Sequence, residues 1–495
     1  MTPIRRRDNV EFVHQPADSG DATMSRETLM SMQLIVEGGR PLAGELRPAG
    51  FKHALVTLCA AALVGRARVQ LVNCPDLLES RVLGVLLRSL GGSVVLDRGT
   101  LTLDFENLHF EALDPKKAGS IHGSIYLLPG LLSRFGRAVV PQTGGCRIGG
   151  SSVSAATSTS SPATDGARPV QQYLDILHRF GVKAWRNFDG AINAKAHKLH
   201  SCHIDLRDFT SERRLRTGPL YSGATKMAIL CAAVAQGDTR LLHPYPKPDV
   251  TELVDLLAAM GADIQYVTPH ELAVVGRGPE VLTTPVRHIL VTDLIEIITW
   301  ACLATLTWSP LLLTGVTARR ALVGLEPEVR LLERMGVALR SDRQGTVLWV
   351  ERNDKLRAVH EIVSSHGIYS DNQPLLSLLT TEAAGTSTFI ETVWTERFGH
   401  VCGLNKMGAK MTIAGNVLAV NGMCRPNIGG RTVHAPDLRA AAALTLAALM
   451  VPGTTTITGA HHLLRGYHDL RSDLHALGAD VREVLHERTD PTLGF

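Results

Sequence analysis

The sequence lacks the long hydrophobic runs that membrane spans require. None of its 495 residues falls in an uncharged apolar stretch of 18 or more, whereas a membrane-spanning helix needs about 20 predominantly apolar residues. The N-terminal segment contains Arg5, Arg6 and Arg7 but no apolar core of a signal peptide. We therefore expect a cytoplasmic protein without a membrane partner, in which residues 1–32 form a flexible N-terminal tail.

Aromatic residues and excess charge are also scarce. Phe, Trp and Tyr make up 5% of the chain, and 51 Lys and Arg against 47 Asp and Glu leave a net charge of +4. Proteins that bind nucleic acids use a strongly basic surface or aromatic side chains on which bases stack. The composition therefore argues against a nucleic-acid partner. A hydrophobic content of 45% argues against a disordered chain.

Paired cysteines and several familiar catalytic motifs are missing as well. The eight cysteines are scattered and none forms a Cys-x-x-Cys pair, which indicates a reduced protein with neither a disulfide framework nor a zinc site. The P-loop, the Gly-x-Gly-x-x-Gly dinucleotide motif, His-Glu-x-x-His and Gly-x-Ser-x-Gly do not occur. These absences disfavour nucleotide hydrolysis, Rossmann redox chemistry, zinc proteolysis and esterase chemistry.

What the sequence does contain is two sequence patterns, here called phrases, each of which recurs six times. The first is an amphipathic helix, a glycine and a strand, as in LVDLLAAMGADIQY. Its glycines, which we expect to end the helices in the left-handed conformation, are Gly91, Gly181, Gly261, Gly336, Gly408 and Gly478. The second phrase is an apolar helix, a small turn and a β-branched strand, as in ILCAAVAQGDTRLLH. The two phrases alternate, and successive glycines of the first phrase are 70 to 90 residues apart, which predicts six α/β units arranged as two domains of three.

The segment GGCRIGG, residues 144–150, is the strongest chemical candidate. Cys146 stands between glycines, which allow a loop to open and close, and the neighbouring Arg147 favours the thiolate form. The alternative is a packed cysteine without a chemical role. Residues 151–165, a Ser/Thr/Ala-rich tract, follow directly and predict an exposed loop insertion.

Two apolar helices begin with residues that suit an anion. Lys52 stands in the first turn of one helix, where the helix dipole disfavours a cation unless an anion binds there. Ser222 and Gly223 begin another helix, whose exposed N–H groups and hydroxyl could hold a phosphate. A surface lysine and a serine that only caps its helix are the alternatives.

Charged residues at turns and inside apolar segments complete the candidates. Three arginines lie at element junctions, where guanidinium groups bind phosphate or carboxylate in bidentate fashion: Arg168, Arg439 and Arg465. Four acids lie in apolar surroundings: Asp293, Glu296, Asp371 and Glu391. Solvated charges are the alternative for the arginines. Catalysis and structural ion pairs both stay open for the acids, because buried acids need partners.

Together these pieces resemble the enolpyruvyl transferase family, and within it the UDP-N-acetylglucosamine enolpyruvyl transferases. The resemblance covers residues 33–482 and rests on GFKHAL, SRFGRAVVPQTGGCRIG, GARPV, SGATKMAILCAA, FIETVWTERFGHV, APDLRAAAALTLAA and LRGYHDL. It implies the inside-out α/β barrel, two pseudo-threefold domains of three βαβαββ units each, with the active site in the cleft. The implied first domain is residues 52–291, with the cysteine loop, and the second is residues 33–51 and 292–495.

The resemblance also implies the reaction. A substrate hydroxyl adds to phosphoenolpyruvate, a tetrahedral ketal forms, and phosphate leaves without help from a metal or an organic cofactor. The residues implied to bind phosphoenolpyruvate are Lys52, Arg168 and Arg465. Cys146 matches the loop thiol that acts as general acid and is alkylated by fosfomycin. Asp371 matches the acid near the accepting hydroxyl and is the candidate base.

The remaining implied site residues form two sets. Those implied to contact the nucleotide are His53, His122, Arg168, Pro169, Val170, Gln171, Ser222, Gly223 and Asp371. Those implied to support cleft closure or ligand positioning are Asp293, Glu391 and Arg439. The partners that follow are two small molecules, phosphoenolpyruvate and a uridine nucleotide.

Departures from the family pattern concern the acceptor. His53 replaces an Asn that touches the sugar, His122 replaces a cleft Arg, Pro219 replaces a Lys, and Gln171 replaces an Asp. Losing two cations disfavours a diphosphate acceptor. The chain thus resembles the offshoot of nikkomycin- and polyoxin-type nucleoside antibiotic biosynthesis, which transfers enolpyruvate to the 3′-hydroxyl of UMP. We expect UMP as acceptor. The alternatives are UDP-N-acetylglucosamine in peptidoglycan precursor synthesis, a non-catalytic nucleotide-binding protein and, disfavoured by low basicity, an RNA-terminus cyclase.

Overall fold

The two predicted phrases recur as two sets of six helices. The computed structural model describes residues 32–142, 144, 170–424 and 426–485. The outer helices, which precede the predicted glycines, are Leu78–Ser89, Gln171–Arg179, Pro248–Met260, Glu326–Met335, His400–Lys406 and Leu470–Ala476. The central helices, which belong to the second phrase, are Lys52–Val64, Leu128–Phe135, Tyr221–Val234, Leu294–Thr307, Gln373–Leu379 and Leu438–Met450. Shorter helical segments are Pro115–Ala118, Gly123–Leu127, Leu206–Phe209, Pro279–Val281, Ala318–Gly324, Thr380–Glu382 and Ala460–Arg465.

The central helices form the cores because they are apolar on all sides. In Tyr221–Val234 every residue except Ser222 is buried, as a helix without a polar face requires. The central helices pack in two trios, one from Lys52–Val64 to Tyr221–Val234 and one from Leu294–Thr307 to Leu438–Met450. Sheets pack around each trio. The central helices therefore lie inside and the strands outside, which is the inside-out arrangement that the resemblance implies.

The outer helices end as predicted. All six glycines of the first phrase have positive φ angles, from +78° at Gly181 to +112° at Gly261. Residues with a Cβ avoid this region, so glycine lets the chain reverse and enter the following strand. The sequence phrase thus corresponds to a real backbone requirement.

Gly261→Ala should lower the free energy of unfolding by about 2 kcal/mol, because a left-handed conformation alone costs Ala about 1–2 kcal/mol. The new Cβ would also meet the carbonyl oxygen of Val281 at 2.7 Å. Urea unfolding would measure the change. Gly415→Asn is the matched control, since φ there is +61° and nothing lies within 4 Å of a new Cβ. Equal losses in both variants would contradict the prediction.

The strands of the described residues form two groups of sheets. Within the described ranges the first group has three sheets, whose strands are given in spatial order. The first sheet is Val286–Ile289, Val69–Val72, Thr100–Asp104 and Ser93–Asp97, and the second is Arg137–Val140, Ile192–Lys195 and Lys183–Arg186. The third is Asp263–Thr268, Glu271–Arg277, Gln236–Leu242 and His203–Asp205. In the same ranges the second group has three four-stranded sheets and one pair of short strands. The four-stranded sheets are Thr432–His434, Gly453–Thr458, Met32–Gly38 and Asp480–Leu485; then Val337–Ser341, Val347–Arg352, Leu311–Thr314 and Gly44–Leu46; and then His360–Val363, Thr386–Glu391, Val417–Asn421 and Met411–Ala414. The pair is Leu356–Arg357 and Ala383–Ala384.

Strand pairing bears on the proposed division into two domains. The N-terminal strand Met32–Gly38 pairs antiparallel with Gly453–Thr458 and Asp480–Leu485, far along the chain. Val286–Ile289 instead pairs parallel with Val69–Val72. This pairing supports the boundaries near residues 52 and 291, which we keep as a proposal. Met32 already belongs to the first strand, whereas residues 1–31 and the predicted insertion lie outside the described residues.

The chain passes twice between the groups of sheets at one place. The amide of Phe51 donates to the carbonyl of Val291 at 2.8 Å, and the amide of Asp293 donates to the carbonyl of Ala49 at 2.8 Å. The two crossings are thus hydrogen-bonded side by side, directly before Lys52. None of the helices in the described part of the chain combines the length and apolar character needed to cross a lipid bilayer.

Candidate active site

A cleft of about 1360 Å³, its solvent-filled mouth included, opens between the two groups of sheets. One wall carries the first turns of Lys52–Val64 and Tyr221–Val234, and the other carries residues 364–371 and 393–397. The predicted site residues that line it are Lys52, His53, His122, Ser222, Gly223, Asp371 and Arg465. Three further predicted residues lie outside the described part of the chain: Cys146, Arg168 and Pro169.

Two cations and a carboxylate meet at one end of the cleft. Lys52 Nζ donates to the carbonyl oxygen of Arg465 at 2.9 Å, and Arg465 Nη2 lies 3.1 Å from Glu79 Oε1. The same Glu79 oxygen is 3.9 Å from Lys52 Nζ. Lys52 also begins a 13-residue helix without acidic residues in its first turn, so the positive helix end adds to the potential. This end of the cleft is suited to bind an anion.

Asp371 is held by two buried arginines. Its Oδ1 accepts hydrogen bonds from Arg397 Nη2 at 3.1 Å and from Arg439 Nε at 2.9 Å. Burial opposes the negative charge, but Arg397 and Arg439 outweigh it and hold the pKa of Asp371 well below its ordinary value. The carboxylate is therefore ionised at neutral pH. Its side chain keeps 22% exposure and can contact a ligand in the cleft.

His53 is a neutral group between charged ones. Burial lowers the pKa of His53 to about 3, against the opposing charge of Asp371. At pH 7 its imidazole therefore offers one hydrogen-bond donor and one acceptor and no charge. It thus offers the same two kinds of hydrogen-bonding group as the amide of the asparagine that the resemblance implies at this position.

Two of the predicted positions in the cleft, His122 and Pro219, carry no lysine or arginine. His122 Nε2 lies 3.2 Å from the hydroxyl of Tyr173, and Pro219 stands just before the helix Tyr221–Val234. Ser222 lies inside that helix rather than at its cap, which is Leu220. The alternative of a capping serine is therefore wrong, and the Ser222 hydroxyl donates instead to Asp249 Oδ2 at 3.5 Å.

Several predicted residues act from behind the cleft wall or away from it. Asp293 caps Leu294–Thr307 and accepts the amide hydrogen of Lys52 at 3.1 Å, so it fixes the start of that helix. Val170 and Gln171 begin an outer helix and are not part of the cleft lining among the described residues. Gln171 is exposed and donates to Asp175 at 2.9 Å.

Five charged cleft residues were not singled out from the sequence: Glu79, Lys226, Asp249, Arg397 and Asp437. Lys226 could have been recognised from the sequence, because it is the one charged residue inside the apolar segment SGATKMAILCAA. Arg397 lies in the FIETVWTERFGHV segment that carries the resemblance. Glu79 and Asp249 gave no local signal. No three His, Cys, Asp or Glu side chains in the described ranges converge to hold a metal ion.

Glu391 is hydrogen-bonded to residues that line the cleft. It is fully buried, and its Oε1 accepts the amide hydrogens of Val393 at 2.8 Å and Trp394 at 3.0 Å. Its Oε2 accepts the hydroxyl of Ser370 at 2.8 Å. Val393, Trp394 and Ser370 all line the cleft. Burial raises the pKa of Glu391 to about 7.

This raised pKa predicts a pH-dependent stability that Glu391→Gln removes. The folded state binds the Glu391 proton up to about pH 7, whereas an ordinary carboxyl releases it near pH 4.5. Wild-type stability therefore falls by up to about 3 kcal/mol between these pH values, relative to a variant that cannot titrate. Urea unfolding of both proteins from pH 4.5 to 7.5 would measure the difference. Parallel pH profiles would contradict the assignment.

Comparison with known proteins gives matches over most of the chain. The family EPSP synthase (3-phosphoshikimate 1-carboxyvinyltransferase) matches residues 36–474. The UDP-N-acetylglucosamine 1-carboxyvinyltransferase of Halothermothrix orenii is 30% identical over 458 residues, which cover 91% of this chain and 99% of that protein. Its counterpart in Desulfosudis oleivorans is 31% identical over 455 residues, with coverage of 91% and 99%.

Solved structures place the chain in the same group. The enolpyruvyl transferase NikO from Streptomyces tendae is 41% identical and superposes with a TM-score of 0.85, covering 92% of this chain and 100% of NikO. EPSP synthase from Acinetobacter baumannii is 16% identical with a TM-score of 0.67 over 92% and 100% of the two chains, and shares the fold. The chain therefore belongs to the EPSP synthase family, and it is an enolpyruvyl transferase.

Proposed function

We propose that this enzyme transfers the enolpyruvyl group of phosphoenolpyruvate to the 3′-hydroxyl of UMP, with release of phosphate, in peptidyl nucleoside antibiotic biosynthesis. The observation that carries the proposal is the division of charge in the cleft. Two cations converge on one end, an ionised carboxylate is held by two arginines, and His122 and Pro219 line the cleft at two positions where the resemblance implies cations.

Phosphoenolpyruvate would bind at the cationic end. It carries a phosphate and a carboxylate, and Lys52 and Arg465 already hold the carboxylate of Glu79 there. Arg168 would add a third cation. Three cations can balance the charge of this ligand and stabilise the negative charge that develops as phosphate departs.

In the proposed reaction Asp371 is the general base and Cys146 is the general acid. The acceptor hydroxyl attacks C2 of phosphoenolpyruvate, the Cys146 thiol protonates C3, and a tetrahedral ketal results. As the new C–O bond forms, the hydroxyl proton becomes strongly acidic, so even a weak base such as Asp371 can take it. The Cys146 thiolate then takes a proton from C3 while the C–O bond to phosphate breaks, which restores the double bond and the thiol. Closure of the cleft would exclude water.

The choice of UMP rests on the residues at positions 122 and 219 and on the similarity to known proteins. The resemblance implies that His122 and Pro219 stand where the family has cations that suit a diphosphate, and His122 Nε2 is hydrogen-bonded to the Tyr173 hydroxyl. The identity to NikO is 41%, against 30% and 31% to the two UDP-N-acetylglucosamine transferases. Those relatives still match over nearly the whole chain, so UDP-N-acetylglucosamine is the second candidate acceptor.

An acceptor assay tests the proposal. The purified protein is incubated with phosphoenolpyruvate and either UMP or UDP-N-acetylglucosamine, and phosphate release and product mass are measured. We expect turnover with UMP and with its 2′-deoxy analogue, and none with 3′-deoxy-UMP. Turnover with UDP-N-acetylglucosamine alone would overturn the proposed acceptor. Turnover of 3′-deoxy-UMP would overturn the proposed position of attack.

A further inference from the structure

Lys226 is a buried cation in the middle of an apolar central helix. Its side chain is 6% exposed and forms an ion pair with Asp249, whose side chain is 4% exposed. Both residues line the cleft. An ion pair this deeply buried contributes little stability, since well-packed apolar residues often replace such pairs without loss. Its place on the cleft wall points to a role in ligand binding.

The donors around this pair converge on one atom. Ser222 Oγ lies 3.5 Å from Asp249 Oδ2, and Lys226 Nζ contacts the same oxygen. Lys226 follows Ser222 by four residues, and helical side chains lean toward the N-terminus. The ammonium group therefore lies beside Ser222 at the start of the helix, where backbone N–H groups are also available. These donors form a compact group that now holds a carboxylate.

Asp249 can keep its charge while Lys226 turns to a ligand. It lies in the first turn of the 13-residue helix Pro248–Met260, where the helix dipole favours a negative charge. Its Oδ1 is buried and has no hydrogen-bond partner within the described part of the chain. An ammonium group has three donor hydrogens. Lys226 can thus contact Asp249 and one further anion together.

We propose that Lys226 binds the 5′-phosphate of the acceptor nucleotide and that Asp249 restricts the acceptor to a single phosphate. This inference rests on the proposed function. Lys226 supplies a cation on a wall where His122 and Pro219 supply none, and Ser222 adds a hydroxyl donor. A second phosphate would bring further negative charge beside Asp249. Specificity then arises from an attractive and a repulsive element together.

Calorimetric binding of UMP, uridine and UDP to wild-type and variant protein tests the proposal. We expect wild type to prefer UMP over uridine, and Lys226→Met to lose about ten- to hundredfold of that preference, as for one hydrogen bond between charged groups. Asp249→Asn should narrow the preference for UMP over UDP. Because Lys226→Met leaves Asp249 buried without its cation, the double variant Lys226→Met/Asp249→Asn is measured in parallel, and it should lose the preference for UMP over uridine as well.

Lys247→Met is the matched control. Lys247 is also buried and directly precedes the helix Pro248–Met260, which contains Asp249. Its ammonium group contacts the Tyr369 ring at 4.0 Å and the carbonyl of Gly367. We expect its ratio of UMP to uridine affinity to equal that of wild type. An unchanged ratio in both Lys226 variants, or a wild type without preference for UMP, would overturn the inference. If the protein bound UMP in preference to uridine but did not turn it over, the proposed function would be wrong and the inference about Lys226 would stand.

Discussion

Asp371→Asn should lower kcat by about 10²–10⁴-fold, the range that a positioned general base contributes. The carboxylate is ionised because two arginines hold it, and an amide in its place cannot accept the hydroxyl proton. The variant should also be less stable. Arg397 and Arg439 are almost completely buried and would lose their anion, a change that costs about 3–5 kcal/mol in buried pairs.

Asp371→Glu separates these two effects. It retains the negative charge beside both arginines but displaces the carboxylate oxygens, and a misplacement of about 1 Å in an active site can cost about 10²-fold in rate. We expect a melting temperature near that of wild type together with a large loss of kcat. Single-turnover rates with phosphoenolpyruvate and UMP, measured on protein shown to be folded by circular dichroism, would check this. A folded Asp371→Asn variant with more than about a tenth of wild-type kcat would exclude Asp371 as the base.

The fold was predictable because its signals are local. Each apolar helix that lacks a polar face must be buried, and each positive-φ glycine ends its helix whatever lies nearby. Both signals recur six times and both correspond to elements in the structure. The pairing of Met32–Gly38 with strands more than 400 residues later has no such signal and entered only through the resemblance to a family.

The site was predictable only in part, because ion pairs depend on tertiary structure. Arg465 was a candidate, but its partner Glu79 lies 386 residues away. Lys226 and Asp249 come from different helices, and neither sequence neighbourhood indicates the other. Local composition therefore finds residues whose type is unusual for their surroundings. It does not find the partners that hold them, nor does it show that Gln171 lies away from the cleft lining.

Lys52→Met should lower kcat/KM for phosphoenolpyruvate by about 10²–10³-fold, as the loss of one preorganised charge-stabilising donor does. Lys52 Nζ lies next to Arg465 and Glu79 at the anion-binding end, and its methylene stem is matched in length by methionine. Asp293 holds the backbone of Lys52, so the helix start should persist in the variant.

The loss should affect phosphoenolpyruvate rather than UMP. UMP binds, in our proposal, to Ser222 and Lys226 of the helix Tyr221–Val234 and not to the group of Lys52, Arg465 and Glu79, so the Kd of UMP measured calorimetrically should change far less than the KM of phosphoenolpyruvate. Lys52→Arg keeps the positive charge and should recover part of the lost kcat/KM, although a planar guanidinium does not reproduce the ammonium geometry. If Lys52→Met weakened UMP binding and left the KM of phosphoenolpyruvate unchanged, the cationic end of the cleft would hold the acceptor, and the assignment of donor and acceptor would have to be exchanged.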